Sequence, residues 1–367
     1  MISERAAVYG TSHEGYEVAM LLSDAGYKTN IIDERMKTAY LLGKDRPRSI
    51  KELLGEDTLY PIQPLAPALA EAGLVVIAPR LRYSDEGRGE WIQRLKEVGQ
   101  NISKTSIIVN FVPMTFGGNR EAISIIEEQS GLKANENFTY IYAPANKKEV
   151  ASYIGRPELA YFAEKILGKY NWINDIEVAE TLYAKLTISK YLNKALEAAV
   201  YRDSKITTGL AGNVFLDDMA DDLYEIQLFA DTLPHGDTMQ HYAAGSLKAV
   251  NNYLHTLESF LRLHSREKGL KAIRSRILIV WSFDSFDMKG EKPRLQNLLL
   301  NSLSEVFGEV DSWNPEESGE ERRKPPSVDK YQIIIACSKS DLRYCTENIR
   351  KNDDQSIISA SIPIGTF

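Results

Sequence analysis

Along the first half of the chain, short apolar runs alternate with longer stretches in which apolar positions recur every three or four residues. The runs are Ala6-Ala7-Val8-Tyr9, Thr29-Asn30-Ile31-Ile32, Leu74-Val75-Val76-Ile77-Ala78, Ser106-Ile107-Ile108-Val109 and Phe138-Thr139-Tyr140-Ile141-Tyr142. Continuous apolar runs separated by helical segments predict a parallel sheet covered on both faces, here over residues 1–165. From Asp175 to about His264 the strand signal stops. Residues 177–202 carry Leu182, Leu186, Leu192, Leu196 and Val200 at helical spacing, without Gly or Pro, which predicts one long helix. Further helices are expected over residues 214–231 and 239–264, giving a central helical region at 166–268. A smaller C-terminal α/β domain, 269–367, is expected from strands at 276–281, 310–313 and 331–336 and a helix at 295–307. The Pro-, Glu- and Arg-rich stretch 314–328 reads as an exposed loop.

The first run leads directly into Gly10-Thr11-Ser12-His13-Glu14-Gly15, and a helix and a second strand ending at Asp33 follow. This order is that of a Rossmann-type dinucleotide turn. The first glycine makes the turn, the second lets backbone approach a pyrophosphate, and the third lets helix and strand pack closely. Gly10 and Gly15 fill the outer roles, and Ser12 stands where the middle glycine belongs. Asp33 lies at the distance, roughly 20 residues on, where an acid accepts hydrogen bonds from an adenine ribose. With Glu34 beside it, NAD is favoured over NADP. Residues Gly10 to Gly15, with Asp33, are therefore candidate cofactor contacts, the other reading being a βαβ turn kept for its fold. His13 and Glu14 read as solvent-facing loop residues, Glu14 also suiting a helix N-terminus. Pro79, Arg80 and Arg82 follow the third strand, where ligands bind in such sheets, and an arginine fork matches a phosphate.

Charge and composition narrow the partners. A net charge of −7 argues against nucleic acid or an anionic membrane, since both reward a basic face. No apolar run approaches the roughly 18 residues of a membrane helix, and the N-terminus lacks the apolar core of a signal peptide, so a cytoplasmic protein is expected. The two cysteines, Cys337 and Cys345, have no metal-type spacing and read as reduced thiols. His235, Asp237 and His241 read as a polar loop before a helix rather than a metal site, because histidines six apart do not share a helix face. The run Asp217-Asp218-Met219-Ala220-Asp221-Asp222 lacks the spacing of a calcium loop and reads as a solvated helix face. Lys185, Lys190 and Lys194 line one helix and read as surface or subunit-contact lysines.

The domain order and several local patterns resemble the UDP-glucose/GDP-mannose dehydrogenase family. Leu69 to Pro79 resembles its helix end leading into a strand beside the cofactor. Asn110-Phe111-Val112-Pro113 resembles its Ser-Thr-Val/Ile-Pro turn, and Tyr142-Ala143-Pro144-Ala145 its Ser-Pro-Glu turn. The resemblance implies an NAD cofactor, a UDP-binding third domain over 277–336, and a homodimer packed through the helix at 177–202. It also implies a nucleotide or nucleotide-sugar ligand. The departures fall on the chemistry. The family forms a thioester on a cysteine in a Gly-x-Gly-x-Cys-x-Pro-Lys-Asp loop, whereas this chain has no cysteine before Cys337, and the nearest segment, 233–248, lacks a thiol. Its catalytic glutamate aligns with Ala145, and its lysine and asparagine with Thr181 and Lys185. Its two cofactor-contacting threonines align with Phe111 and Pro79. A slip of one turn would make Lys185 or Lys190 a substitute base, followed four residues later by Ser189 or Lys194.

Two functional expectations follow. The first is a dehydrogenase-like protein that binds NAD or a nucleotide-sugar without the cysteine-dependent four-electron oxidation. The alternative is an active NAD-dependent oxidoreductase that carries out one two-electron step on a sugar or other alcohol, with Lys185, Lys190 or His235 as base. A hydroxyacid dehydrogenase with the same domain order ranks last, since its central-helix lysine and asparagine are also missing.

Overall fold

The computed structural model describes residues 4–43, 47–55, 60–81, 85–145, 149–168, 170–204, 214–316, 327–349 and 355–367. The chain divides into two compact units, residues 1–185 with 286–290, and residues 186–285 with 291–367.

The first unit runs β1 (Arg5–Tyr9), α1 (His13–Asp24), β2 (Lys28–Asp33), β3 (Thr38–Leu41), α2 (Ile50–Leu53), β4 (Ile62–Pro64), α3 (Leu65–Ala70) and β5 (Leu74–Ile77). It continues with α4 (Asp85–Asn101), β6 (Ile107–Asn110), α5 (Gly118–Ser130), β7 (Thr139–Tyr142), β8 (Ala151–Ile154), α6 (Pro157–Leu167) and β9 (Trp172–Ile173). Its nine strands form one sheet in the order β4-β3-β2-β1-β5-β6-β7-β8-β9. The five apolar runs are the parallel centre, β2-β1-β5-β6-β7. Every residue of β5, β6 and β7 is buried, and because neighbours point to opposite faces, both faces are covered. The sequence pattern thus identified a Rossmann-type doubly wound sheet correctly but missed its edges. There β3 runs antiparallel to β2 and β4 antiparallel to β3, and β8 runs antiparallel to β7. On the helical side α4 packs against α5 at Gly99, where an added Cβ would lie 2.8 Å from the Gln129 Cβ and 3.0 Å from the Ile126 carbonyl.

The long helix expected at 177–202 is present as α7, Ile176–Ser204. Its first turns carry the buried Glu180, whose carboxylate accepts the N–H groups of Gly117 (2.7 Å) and Asn119 (2.8 Å) and the Asn119 side-chain amide (2.8 Å). Glu180 therefore supplies the acceptors that the N-terminus of α5 lacks, since Gly117 has no side chain to cap it. Asn119 extends the network, its Oδ1 accepting the Tyr140 hydroxyl (2.8 Å) and the Asn110 amide (3.3 Å).

The second unit contains β10 (Val214–Phe215), α8 (Leu216–Ala220), α9 (Leu223–Thr232), α10 (Thr238–Glu267), β11 (Arg276–Val280), α11 (Glu291–Ser304), β12 (Glu309–Trp313), β13 (Ile333–Ala336), α12 (Lys339–Asn348), β14 (Ser356–Ser359), β15 (Ser361–Ile362) and β16 (Gly365–Thr366). A five-stranded sheet, β12-β11-β13-β14-β16, surrounds a core that includes Leu278, Trp313, Tyr331, Ile334 and Ile357. Three expectations need correction. Residues 214–231 are not one helix but β10, α8 and α9, interrupted where Asp221 is extended and Asp222 is left-handed at φ 73°, a conformation aspartate tolerates better than most residues. The acidic run there is not a solvated face. Asp217 accepts the Trp281 indole N–H (2.7 Å) and pairs with Lys292 (2.8 Å), Asp218 accepts the Phe215 N–H (2.8 Å), and Asp222 is buried. Finally, α11 starts at Glu291, four residues before the expected 295. Most of the loop expected at 314–328 lies outside the described residues. No described helix is long and apolar enough to cross a membrane.

Replacing Glu180 with alanine takes the acceptor from the two buried donors of Asn119 and the part-buried N–H of Gly117 and is expected to destabilise the first unit by roughly 2–4 kcal/mol. Urea unfolding of wild type, Glu180→Ala and Glu180→Gln measures this, with the glutamine variant, which keeps one acceptor oxygen, losing less. An alanine variant within 0.5 kcal/mol of wild type, roughly the scatter of neutral surface changes, contradicts the capping role.

Candidate functional site

The turn between β1 and α1 is built by close backbone approach. Gly10 has φ 130°, and an added Cβ would lie 2.3 Å from the Ala78 carbonyl oxygen and 2.5 Å from the Pro79 Cα, so only glycine fits. Its N–H continues the sheet to the Ile32 carbonyl (3.0 Å). Ser12 is fully buried and is the N-cap of α1. Its hydroxyl donates to the Ala78 carbonyl (2.7 Å) and accepts the Gly15 N–H (3.0 Å). At Gly15 an added Cβ would stand 3.2 Å from both the Ala78 Cβ and the Ser12 hydroxyl, so these neighbours would have to give by a few tenths of an ångström.

Two further donors of this turn are taken by the protein itself. The Thr11 N–H donates to Glu34 Oε2 (3.1 Å). The His13 N–H, in the first turn of α1, donates to the Phe286 carbonyl (2.8 Å). Phe286 belongs to a strap, residues 286–290, that is part of the first unit although it comes late in the chain. The Met288 N–H donates to Glu14 (3.0 Å), the Leu81 N–H to the Met288 carbonyl (2.6 Å), and the Arg80 guanidinium lies 5.2 Å from the centre of the Phe286 ring. Glu14 is therefore not a solvent-facing loop residue as the sequence suggested. It is buried, and burial together with the adjacent Asp287 carboxyl raises it from the usual 4.5 to about 7, against hydrogen bonds from its own N–H and that of Met288. His13 is exposed, its ring 3.2 Å from Glu17. A pyrophosphate needs donors at a helix N-terminus. At this turn it would meet the Phe286 carbonyl and the Glu34 carboxylate, so the site in this form does not fit an intact dinucleotide.

Beside the turn, at the C-terminal ends of β1, β2 and β5, lies a cleft of about 210 Å3. Tyr9 forms its floor, Glu34, Arg35 and Lys37 come from the loop after β2, Arg80 follows β5, and Arg94 and Glu97 project from α4. Its acids are engaged. Glu97 accepts the Tyr9 hydroxyl (2.7 Å), the Gln93 amide (3.1 Å) and Lys37. Burial pushes the Glu97 carboxyl up, but these donors outweigh it and leave it below its ordinary value. Burial, then Glu97, pushes the Tyr9 phenol far up. Glu90 pairs with Arg94 (3.2 Å), and Glu34 bridges the Thr11 and Arg80 N–H groups. Asp33 spends one oxygen on the N–H groups of Arg35 (2.8 Å) and Met36 (3.1 Å), closing the turn between β2 and β3.

The turn, Asp33, Pro79 and Arg80 are thus brought together, while Arg82 lies outside the described residues. Glu34, Tyr9, Arg35, Arg94 and Glu97 were not singled out from sequence. Only the spacing of Glu90, Arg94 and Glu97 along one face of α4 carried a signal. The catalytic candidates lie elsewhere. Lys185 and Lys190 are exposed on α7, and His235 is exposed in the turn before α10, where Asp237 caps the helix through the Met239 N–H (2.7 Å). His241 is also exposed. Phe111 and Ala145 are buried neighbours, joined by the Ala145 N–H to the Phe111 carbonyl (3.0 Å). Cys337 and Cys345 are buried free thiols, and burial pushes Cys345 up to about 12 and Cys337 up as well.

The raised Glu14 carboxyl has a stability consequence. Between pH 4.5 and about 7 the folded state holds a proton that the unfolded chain releases, so Glu14's contribution is complete below pH 4.5 and is lost as pH rises to 7. The loss approaches roughly 3 kcal/mol at most, from about 1.4 kcal/mol per pKa unit. Urea midpoints for wild type and Glu14→Gln across this range should converge at low pH and separate toward neutrality, the glutamine variant being the flatter. Parallel curves contradict the assignment.

No family model matches the chain and no curated protein matches it. Among solved structures, a UDP-glucose dehydrogenase from the archaeon Pyrobaculum islandicum superposes with a TM-score of 0.65 at 14% identity, covering 98% of this chain and 94% of its own. A UDP-D-ManNAc dehydrogenase from Pyrococcus horikoshii gives 0.63 at 14% identity, covering 91% and 88%. The UDP-N-acetyl-mannosamine dehydrogenase of Staphylococcus aureus gives 0.58 at 11% identity, covering 97% and 98%. The chain therefore shares, over nearly its whole length, the fold of UDP-sugar dehydrogenases.

Proposed function

We propose that this chain is a dehydrogenase-like protein that binds a nucleotide or nucleotide-sugar and does not carry out the cysteine-dependent oxidation of a sugar alcohol. The observation that carries the reading is the state of its thiols. A thioester requires an accessible thiolate. The only two cysteines in the sequence are buried, with burial holding both in the thiol form. The other positions agree. Ala145 and Phe111 are apolar and buried, and the Thr181 hydroxyl is turned back to the Glu177 carbonyl (2.9 Å). The alternative, a single two-electron step, needs a desolvated or charge-activated base. Lys185, Lys190 and His235 are all exposed, and nothing in their surroundings favours it.

A homodimer through α7 belongs to the same proposal. Val178, Leu186, Leu196 and Val200 fall on one face of the helix and are exposed. Exposed apolar side chains on one helix face are what an interface between copies would bury.

Purified protein supplied with NAD and, in turn, UDP-glucose, UDP-N-acetylmannosamine or GDP-mannose is expected to produce no NADH above a protein-free blank. Sustained turnover of any of the three overturns the reading. Light scattering is expected to report a dimer, converted to monomer by Leu196→Glu with Val200→Glu. A wild-type monomer contradicts the interface.

A further inference from the structure

The two sides of α7 differ in kind. Tyr183, Ala184, Thr187, Ile188, Tyr191 and Ala195 are buried, while Val178, Ser189, Leu196 and Val200 on the other side are exposed and Leu182 is half-buried. At about 100° per residue, Val178, Leu182, Ser189, Leu196 and Val200 all lie within roughly 20° of one line along the open side. Ser189 stands at its middle. Val178 and Val200 are equidistant from Ser189 in the sequence, as are Leu182 and Leu196 and, on the flanks of the stripe, Leu186 and Leu192. Each of these pairs is matched in kind. One polar pair is also equidistant from Ser189, the exposed Lys185 and Asn193.

This order bears on what covers the face. In an isologous contact each residue on one side of the two-fold axis meets the residue equally far along on the other side. A different chain imposes no such condition, so a stripe that reads the same in both directions fits a second copy of this one.

We propose that α7 pairs antiparallel with α7 of a second copy, about a two-fold axis at Ser189. The proposal rests on the dimer reading above and gives it a register. Val178 then meets Val200, Leu182 meets Leu196 and Leu186 meets Leu192. The small Ser189 meets its own copy where the helices cross, at the 8–10 Å or so that packed helices keep. Lys185 faces Asn193, whose side-chain carbonyl can accept from an ammonium. Other registers are poorer. A parallel pair sets Lys185 against Lys185, two like charges. An antiparallel pair slipped by about two turns sets Val178 against Asn193, or Val200 against Lys185.

Cross-linking of the full chain with a short bismaleimide, read by intact mass, tests the register. Wild type, whose two cysteines are buried, is expected to give no covalent dimer. In the proposed register two copies of Val178 stand roughly 33 Å apart, at 1.5 Å per residue, beyond the reach of the reagent. Ser189→Cys is therefore expected to give at least about tenfold more covalent dimer than Val178→Cys, given axes only about 8–10 Å apart at the crossing. Val178→Cys combined with Val200→Cys is expected to restore the link. These are exposed positions, and each variant should keep a urea midpoint within about 0.5 kcal/mol of wild type. A covalent dimer from Val178→Cys alone overturns the proposal. So does the absence of one from Ser189→Cys, or from the double variant, in protein that light scattering reports as a dimer. In those cases the interface stands and only its register falls, whereas a wild-type monomer removes both. The loss of oxidation chemistry is separate and fails only if NADH is produced from a nucleotide sugar.

Discussion

A helix that starts inside a protein exposes several backbone N–H groups, and each must find an acceptor or lose the energy of a hydrogen bond. In the first unit this constraint is met twice from a distance. The N-terminus of α5 is closed by Glu180, some 60 residues later, and that of α1 by the Phe286 carbonyl, more than 270 residues later. In a nucleotide-binding sheet, such donors are the usual attachment point for phosphate. Here they hold the fold instead. The strap is the more consequential case, because it ties residues 286–290 to the first βα turn and its Phe286 carbonyl takes a donor of the kind a phosphate would use.

The same constraint changes the meaning of Ser12. As a sequence feature it looks like a damaged glycine in a dinucleotide turn. In the structure its hydroxyl is fully used, donating to Ala78 and capping α1 through Gly15. Gly10 is likewise required by its approach to Ala78 and Pro79, Gly15 sits close against Ala78 and Ser12, and neither needs a ligand to explain it. A glycine pattern of this type therefore reports close packing between a turn and the neighbouring strand, and binding follows only where the donors remain open.

Much of the fold was legible because it is written in local periodicity. The five central strands are uninterrupted apolar runs, and α7 and α10 are long stretches free of proline. Elements that owe their form to partners were not legible. β3 and β4 are short, antiparallel and half-exposed, so their pattern carries little burial signal. The break at Asp221 and Asp222 interrupts a stretch without Gly or Pro, and depends on aspartates bonded within the second unit. For the site, the glycines, Asp33 and Arg80 were found, since motif spacing is local. The Phe286 to Met288 strap was not, since nothing in Phe-Asp-Met-Lys-Gly indicates which helix it will close. Glu34 entered the sequence reading only as a second acid beside Asp33 that favours NAD over NADP, yet it bonds the turn itself.

Glu14 shows how closely the strap and the helix are balanced. A carboxylate at a helix N-terminus is ordinarily favoured by the dipole, and Glu14 also receives N–H groups from its own backbone and from Met288. Burial and the Asp287 carboxyl nevertheless win, raising Glu14 to about 7. Asp287 lies in the strap, so the segment that closes the site also brings the charge that Glu14 resists. The segment that meets the α1 N–H groups thus also sets a carboxyl beside a buried one, and the cost of that placement is least while Glu14 keeps its proton.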